Sequence, residues 1–163
     1  MPYVPPHKRR VENRHKTIVV PKIGNNFVVF QYAKMNPKTG RKNITFPGGG
    51  CKRHENQRNC ALRELAEETG LLVTRNKLNP LFYFKNANRV NYKNSNRNQG
   101  VSVTNHYHGF LAPLNNTFNN VIKTFKTSTL RNKEMNDVYL MSANNLAKSN
   151  RLWKFTKTAL TFI

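Results

Sequence analysis

Apolar and polar positions alternate in blocks that divide the chain into strands, one strong helix and polar connections. Thr17–Pro21 and Phe27–Tyr32 are rich in β-branched and aromatic residues, with Gly24-Asn25-Asn26 between them, and this predicts paired strands. Lys34–Lys42 contains Pro37 and Gly40 and reads as a basic loop. Ile44–Phe46 is a short strand leading into Phe46-Pro47-Gly48-Gly49-Gly50. From about Asn56 to Thr69 the period becomes helical: Leu62, Leu65, Ala66 and Thr69 share one face, and Gly70 stands where a left-handed C-terminal cap belongs. Leu71–Thr74 and Leu81–Phe84 are strand-like. Asn86–Gln99 is polar and basic and reads as an exposed hairpin tip. Val101–Leu111 is a strand that puts His106 and His108 on one face.

The last third is less regular. Within Asn115–Thr129, Phe118, Val121, Ile122 and Phe125 have helical spacing among Asn and Thr, which leaves the element open. Val138–Met141 reads as a strand. Ser149 or Asn150 can cap a final helix with Leu152, Phe155, Ala159 and Ile163 on its apolar face. Met1–Lys16 has three prolines, basic clusters and no apolar period. The expected organisation is therefore a flexible basic arm over 1–16 and a single domain over 17–163.

Charge changes the picture most. The chain has 28 Lys and Arg against 7 Asp and Glu, a net +21. Such a field concentrates polyanions and points to RNA or a nucleotide as partner. Coding bias toward Lys and Asn in an AT-rich genome accounts for runs such as Asn94-Ser95-Asn96-Arg97-Asn98, but not for the missing acids. No apolar run is long enough to cross a bilayer and no signal-peptide pattern opens the chain, so no membrane partner is expected. Cys51 and Cys60 fit neither a zinc ribbon nor a CxxC pair, which suggests free thiols in a reducing, intracellular setting: the cytoplasm, or the nucleus through the basic arm.

Four of the seven acids are Glu55, Glu64, Glu67 and Glu68; only Glu12, Glu134 and Asp137 lie elsewhere. Glu64, Glu67 and Glu68 stand at i, i+3 and i+4, so a helix carries them on one face. Three carboxylates on one turn repel one another, and a hard divalent cation relieves the repulsion. Arg63 lies four before Glu67 and eight after Glu55, within reach of either. The glycines at 48–50 have no side chains to block the approach of backbone to a metal or phosphate.

Gly49, Glu55, Arg63-Glu64-Leu65, Glu67-Glu68 and Gly70-Leu71 together resemble the complete signature box of the Nudix hydrolases. The resemblance covers about a seventh of the chain. It implies an α/β fold, an α/β/α sandwich around a mixed central sheet, with the box as a loop–helix–loop. It implies an Mg²⁺- or Mn²⁺-dependent hydrolase that cleaves a diphosphate linkage. By position, Glu64, Glu67 and Glu68 resemble the metal ligands, with the Gly49 carbonyl as a further ligand, and Glu55 and Arg63 resemble the supporting ion pair. Glu134, just before the strand at Val138, resembles the loop carboxylate that many members carry, with Asp137 as the fallback. Trp153, Tyr83, Phe82, Phe84, Tyr92 and Tyr107 offer stacking surfaces for a base.

The leading expectation for the substrate is the 5′ cap of an RNA, that is, mRNA decapping. The alternatives are a diphosphoinositol polyphosphate, favoured by the Pro47–Gly50 lead-in; a (d)NTP, as in nucleotide sanitising; and a basic nucleic-acid-binding protein on the same scaffold. The sequence leaves the oligomeric state open.

Overall fold

The long apolar strands are buried on both faces, and this shapes the molecule. The computed structural model describes residues 11–90 and 101–163. Its elements are β1 (Val11–Ile23), β2 (Asn26–Met35), β3 (Lys42–Thr45), β4 (Gly48–Gly50), α1 (Gln57–Thr69), β5 (Asn79–Val90), β6 (Val101–Pro113), α2 (Phe118–Thr127), β7 (Met135–Met141), α3 (Ala143–Lys148) and α4 (Lys154–Leu160). Seven strands form one mixed sheet with the path β3-β2-β1-β6-β5; β4 pairs with β1 and β7 with β2. The β1–β6 pair is parallel, while the other pairings are antiparallel.

Successive strand residues point to opposite faces. Val19, Val28 and Phe30 therefore enter a core with Ala61 and Leu65 of α1 and Val121 and Phe125 of α2. Ile18, Val20, Phe27 and Val29 enter a second core with Leu146 of α3 and Ala159 of α4. The result is the expected sandwich, helices on both sides of a mixed sheet. The strands read as unbroken apolar runs because neither face meets water. Among the described residues no helix is long and apolar enough to cross a membrane.

Several elements differ from the expectation. The boundary drawn at Lys16 falls inside β1, which begins at Val11 and pairs with β6 from Val11↔Ser102 onward. Residues 11–16 are mostly exposed, so backbone hydrogen bonds hold them in the sheet without an apolar period to signal it. Residues 1–10 of the expected arm, and 91–99 of the expected hairpin tip with Tyr92, lie outside the described residues; Asn86–Val90 belong to β5. Leu71–Thr74 is not a strand. Leu71 and Val73 anchor a loop to the α1-side core, and a 3₁₀ turn follows at Arg75–Lys77. The open segment resolves as α2, capped by Thr117 accepting from the Asn120 amide.

The final helix starts later than Ser149. The Ser149 hydroxyl accepts from the Arg151 amide, and extended backbone at Arg151–Trp153 then bonds to Ile44 of β3 on both sides. Ser142, just after β7, caps the short helix α3 by accepting from the Asn145 amide.

Candidate active site

Helix α1 begins where Asn56 accepts a hydrogen bond from the Arg58 amide, and ends at Gly70, whose φ of 78° is the left-handed cap. Its buried face contains Cys60, Ala61, Leu65, Glu68 and Thr69. One of the three clustered glutamates thus lies on the packed side of the helix. Exposure is graded: Glu68 is only 2% exposed, the Glu64 side chain 13% and the Glu67 side chain 46%.

The glycine loop, continuing as β4 against β1, closes over these carboxylates. The Gly48 amide donates to Glu68 Oε1 at 3.1 Å. A Cβ on Gly49 would lie 2.5 Å from Glu64 Oε2, so only glycine lets the loop backbone touch that carboxylate. Glu64 and Glu68 are within hydrogen-bonding reach of one another. Burial, joined by the charges of Glu64 and Glu134, pushes the Glu68 carboxyl up to about 9. Burial also raises Glu64, against the pull of Arg63. Burial thus favours the protonated form of both carboxyls, and a neighbouring positive charge would restore the carboxylate.

Arg63 organises the other side. Its Nε and Nη2 each bond Glu55 at 2.9 Å, Nη1 reaches Glu64 at 2.9 Å and Glu67 at 3.2 Å, and Nη2 also donates to the Gly50 carbonyl. The fork with Arg63 and the Lys52 amide hold Glu55 down at about 2. The planar guanidinium serves a loop acid, the helix and the glycine loop at once, which an ammonium point charge cannot do.

Glu134 lies at the exposed end of the loop before β7. Its carbonyl accepts from the Ala33 amide of β2, and its charge is felt by Glu68 and Tyr32. The Asn132 amide bonds the Glu67 carbonyl at 2.6 Å, tying this loop to α1. Asp137, the fallback, is engaged elsewhere: its carboxylate accepts from the Val138 amide and the Tyr139 hydroxyl.

Cys51 and Cys60 are not free thiols but a disulfide, with Cα atoms 5.3 Å apart. The Cys51 amide is pinned to the His15 carbonyl of β1, and Cys60 lies in the first turn of α1, so loop and helix bring the two sulfurs together. The pairing removes the argument from free thiols to a reducing compartment.

Three cavities beside the glycine loop are linked through shared lining residues. A cavity of about 750 Å³ is mostly apolar, with Tyr32, Trp153, Met35 and Pro37 beside Glu134 and Lys133. Tyr32 and Trp153 also line a cavity of about 110 Å³ with Gly48, Gly49, Tyr107 and Lys16. Lys16 and Gly50 in turn line a third, of about 750 Å³, where Arg14, Lys52 and Arg53 outnumber Glu12 and Glu55. The Tyr107 hydroxyl is buried at the middle cavity without a hydrogen-bond partner among the described residues.

Of the stacking residues expected from sequence, Trp153 reaches this trough and Tyr107 underlies it. Phe82 and Phe84 pack in the α4-side core, and Tyr83 is exposed on the other face. Tyr32 and Lys16 were not legible as site residues. One ends an apolar strand and looks like core; the other ends a basic run and looks solvated.

Residues 13–157 match the NUDIX domain family model. A search of curated protein sequences returned no match. Similar folds include the E. coli ORF135 protein, at TM-score 0.62 and 16% identity over 98% of this chain and 92% of that one. A MutT NUDIX hydrolase from Burkholderia pseudomallei aligns at TM-score 0.60 and 14% identity over 93% and 98%. A C. elegans Ap4A hydrolase aligns at TM-score 0.52 and 13% identity over 92% and 93%. With the box, its helix and the sandwich in place, and the family match spanning nearly the whole chain, this protein belongs to the Nudix hydrolase family.

Proposed function

We propose that this chain is a divalent-metal-dependent pyrophosphohydrolase that cleaves the diphosphate linkage at the 5′ cap of an RNA. The trough carries the reading. An apolar, aromatic cavity takes in Glu134, a cationic cavity takes in Glu55, and a small cavity lined by Gly48, Gly49 and Gly50 shares residues with both. A planar base joined through a short phosphate bridge to a long polyanion has this same polarity.

Glu64, Glu67, Glu68 and the Gly49 carbonyl are the residues that would hold the metal. The donors are all hard oxygens, which suits Mg²⁺ or Mn²⁺, and the raised carboxyls fit a site meant for a cation. Such an ion would supply Lewis-acid polarisation of a phosphoryl oxygen and help acidify the attacking water. Arg63 and Glu55 brace the loop and helix so that the carboxylates keep their positions. Glu134, exposed at the trough, takes the proton of the attacking water. The water oxygen bonds to phosphorus, the anhydride P–O bond breaks, and the leaving phosphate keeps the electron pair. Tyr32 and Trp153 hold the base, and Lys16 with the Tyr107 hydroxyl meets the phosphates.

An Ap4A hydrolase among the similar folds makes dinucleoside polyphosphates a natural comparison substrate. The Pro47–Gly50 lead-in and the cationic cavity favour a second reading, a diphosphoinositol polyphosphate, which needs no aromatic cavity. The test is hydrolysis, with and without Mg²⁺ or Mn²⁺, of capped RNA, diadenosine polyphosphate, diphosphoinositol polyphosphate and dNTPs. Fastest metal-dependent release of the cap nucleotide is expected. Preference for the inositol substrate moves the assignment to the second reading.

A further inference from the structure

On the α1-side face of the sheet, beyond the helix N-terminus, four rings form a row across three strands. His15 of β1 stacks on His106 and His108 of β6, with centroids at 4.8 and 5.2 Å. Tyr83 of β5 continues the row, 5.9 Å from His106 and 5.2 Å from His108. Register explains the assembly: His15 pairs with His106, Tyr83 with His108, and directly paired residues share a face.

The ring nitrogens that hold the row are used within it. His15 Nδ1 bonds His108 Nε2 at 2.9 Å; His106 Nδ1 pairs with the Tyr83 hydroxyl at 2.6 Å, and its Nε2 donates to Asn13 Oδ1 at 2.9 Å. The rings lie side by side and do not converge on a point, which disfavours a metal centre. Each is fixed in plane, and the faces at the two ends, on exposed His15 and on Tyr83 at 50% exposure, remain available. Partial desolvation, helped by the neighbouring imidazoles, holds His106 and His108 below the ordinary histidine value.

Cations surround the row. Lys85 pairs with His106 on the same face, and His15 and Asn13 also line the cavity that carries Lys52 and Arg53. Glu12, the nearby acid, is bonded to Arg14. Stacking faces beside cations that can follow a phosphate chain are what single-stranded nucleic acid requires. A purely electrostatic surface has no use for four hydrogen-bonded rings.

We infer that this face binds single-stranded nucleic acid, with bases stacking on Tyr83 and His15 at the ends of the row and phosphates held by Lys52, Arg53 and Lys85. Resting on the RNA reading of the active site, it names where the body of the transcript runs: from the cationic end of the trough onto the sheet.

The experiment is fluorescence anisotropy of the full chain with a 3′-labelled RNA of about 12 nucleotides, within the usual site size of such surfaces. Parallel arms use the same sequence as duplex and as single-stranded DNA. Tyr83→Ala combined with His15→Ala should weaken single-strand binding roughly ten- to a hundredfold, the loss expected for one or two stacked bases. Tyr83→Phe keeps the ring and should stay within about twofold of the parent. Lys52→Gln with Arg53→Gln should reduce the log–log salt slope by about 1.4, or 0.7 for each phosphate contact. The ratio of capped-RNA to cap-dinucleotide turnover should fall with affinity in the Tyr83/His15 variant. The inference is overturned if that variant binds like the parent, or if duplex binds as tightly as single strand. Failure of the parent to hydrolyse any diphosphate would instead sink the active-site reading, while the anisotropy still decides this surface.

Discussion

Glu68 and Glu55 are two acids in one box with opposite surroundings, and their contrast fixes how stability should respond to pH. Glu55, held at about 2 by Arg63, favours the fold above its unfolded value of 4.5, and that contribution is lost as pH falls toward 2. Glu68 is raised to about 9, so in metal-free protein the fold keeps a proton that the unfolded chain releases. Its contribution is present in full below about 4.5 and drains away as pH rises toward 9. Urea unfolding in chelator from pH 3 to 9 should therefore give maximal stability on the acid side of neutrality. Glu68→Gln should flatten the alkaline fall and Glu55→Gln the acid one. A fall of unchanged steepness in Glu68→Gln would refute the assignment. For turnover, Glu67→Gln and Glu68→Gln should each lose at least about a hundredfold, as expected when a ligand or base is removed. Glu134→Gln should lose roughly ten- to a thousandfold while Asp137→Asn does not, because Asp137 already serves Val138 and Tyr139. Steady-state rates on a cap dinucleotide decide both.

Among the elements, α1 was the most legible, from its start near Asn56 to the Gly70 cap, because its spacing signals are local. What could not be read was what the chain brings to α1 from afar. Glu68 looks like an exposed acid by helical period, yet the glycine loop and β1 fold over it. The extension of β1 to Val11 was hidden because its cross-strand contacts are backbone and polar, through Asn13 and His15, and leave no apolar alternation. The disulfide was invisible because nine residues of separation say nothing until loop and helix are placed. That bond closes a short loop over the start of α1. Reducing it should lower stability by about 2 kcal/mol, read as a shift in the thermal midpoint with and without dithiothreitol. At the other end of the helix, Gly70→Ala meets both a left-handed backbone and Ser128 Cβ, which would lie 2.4 Å from the new methyl. It should cost at least about 1–2 kcal/mol, measurable by chemical denaturation.

For the molecule as a whole, the family and fold class were legible from the box, while the trough was not. Its walls come from β1, β2, the loop before β7 and the approach to α4, segments no local pattern links. Trp153→Ala should raise KM for capped RNA about tenfold, the scale of one lost base-stacking contact, and leave KM for a diphosphoinositol polyphosphate much less affected. Equal effects on both substrates would detach the aromatic wall from base recognition.

The parallel pairing of β1 with β6 also constrains how the chain comes into being. β1 sits centrally in the sheet path, and each of its residues from Val11 to Lys22 meets a partner roughly ninety positions later, a contact order that slows closure. On a ribosome, the glycine loop and the carboxylate helix emerge long before the strand that completes the sheet beneath them. Until Pro113 has left the exit tunnel, Val19 and Val20 remain short of a neighbour, and the nascent chain is an apolar edge in need of shelter.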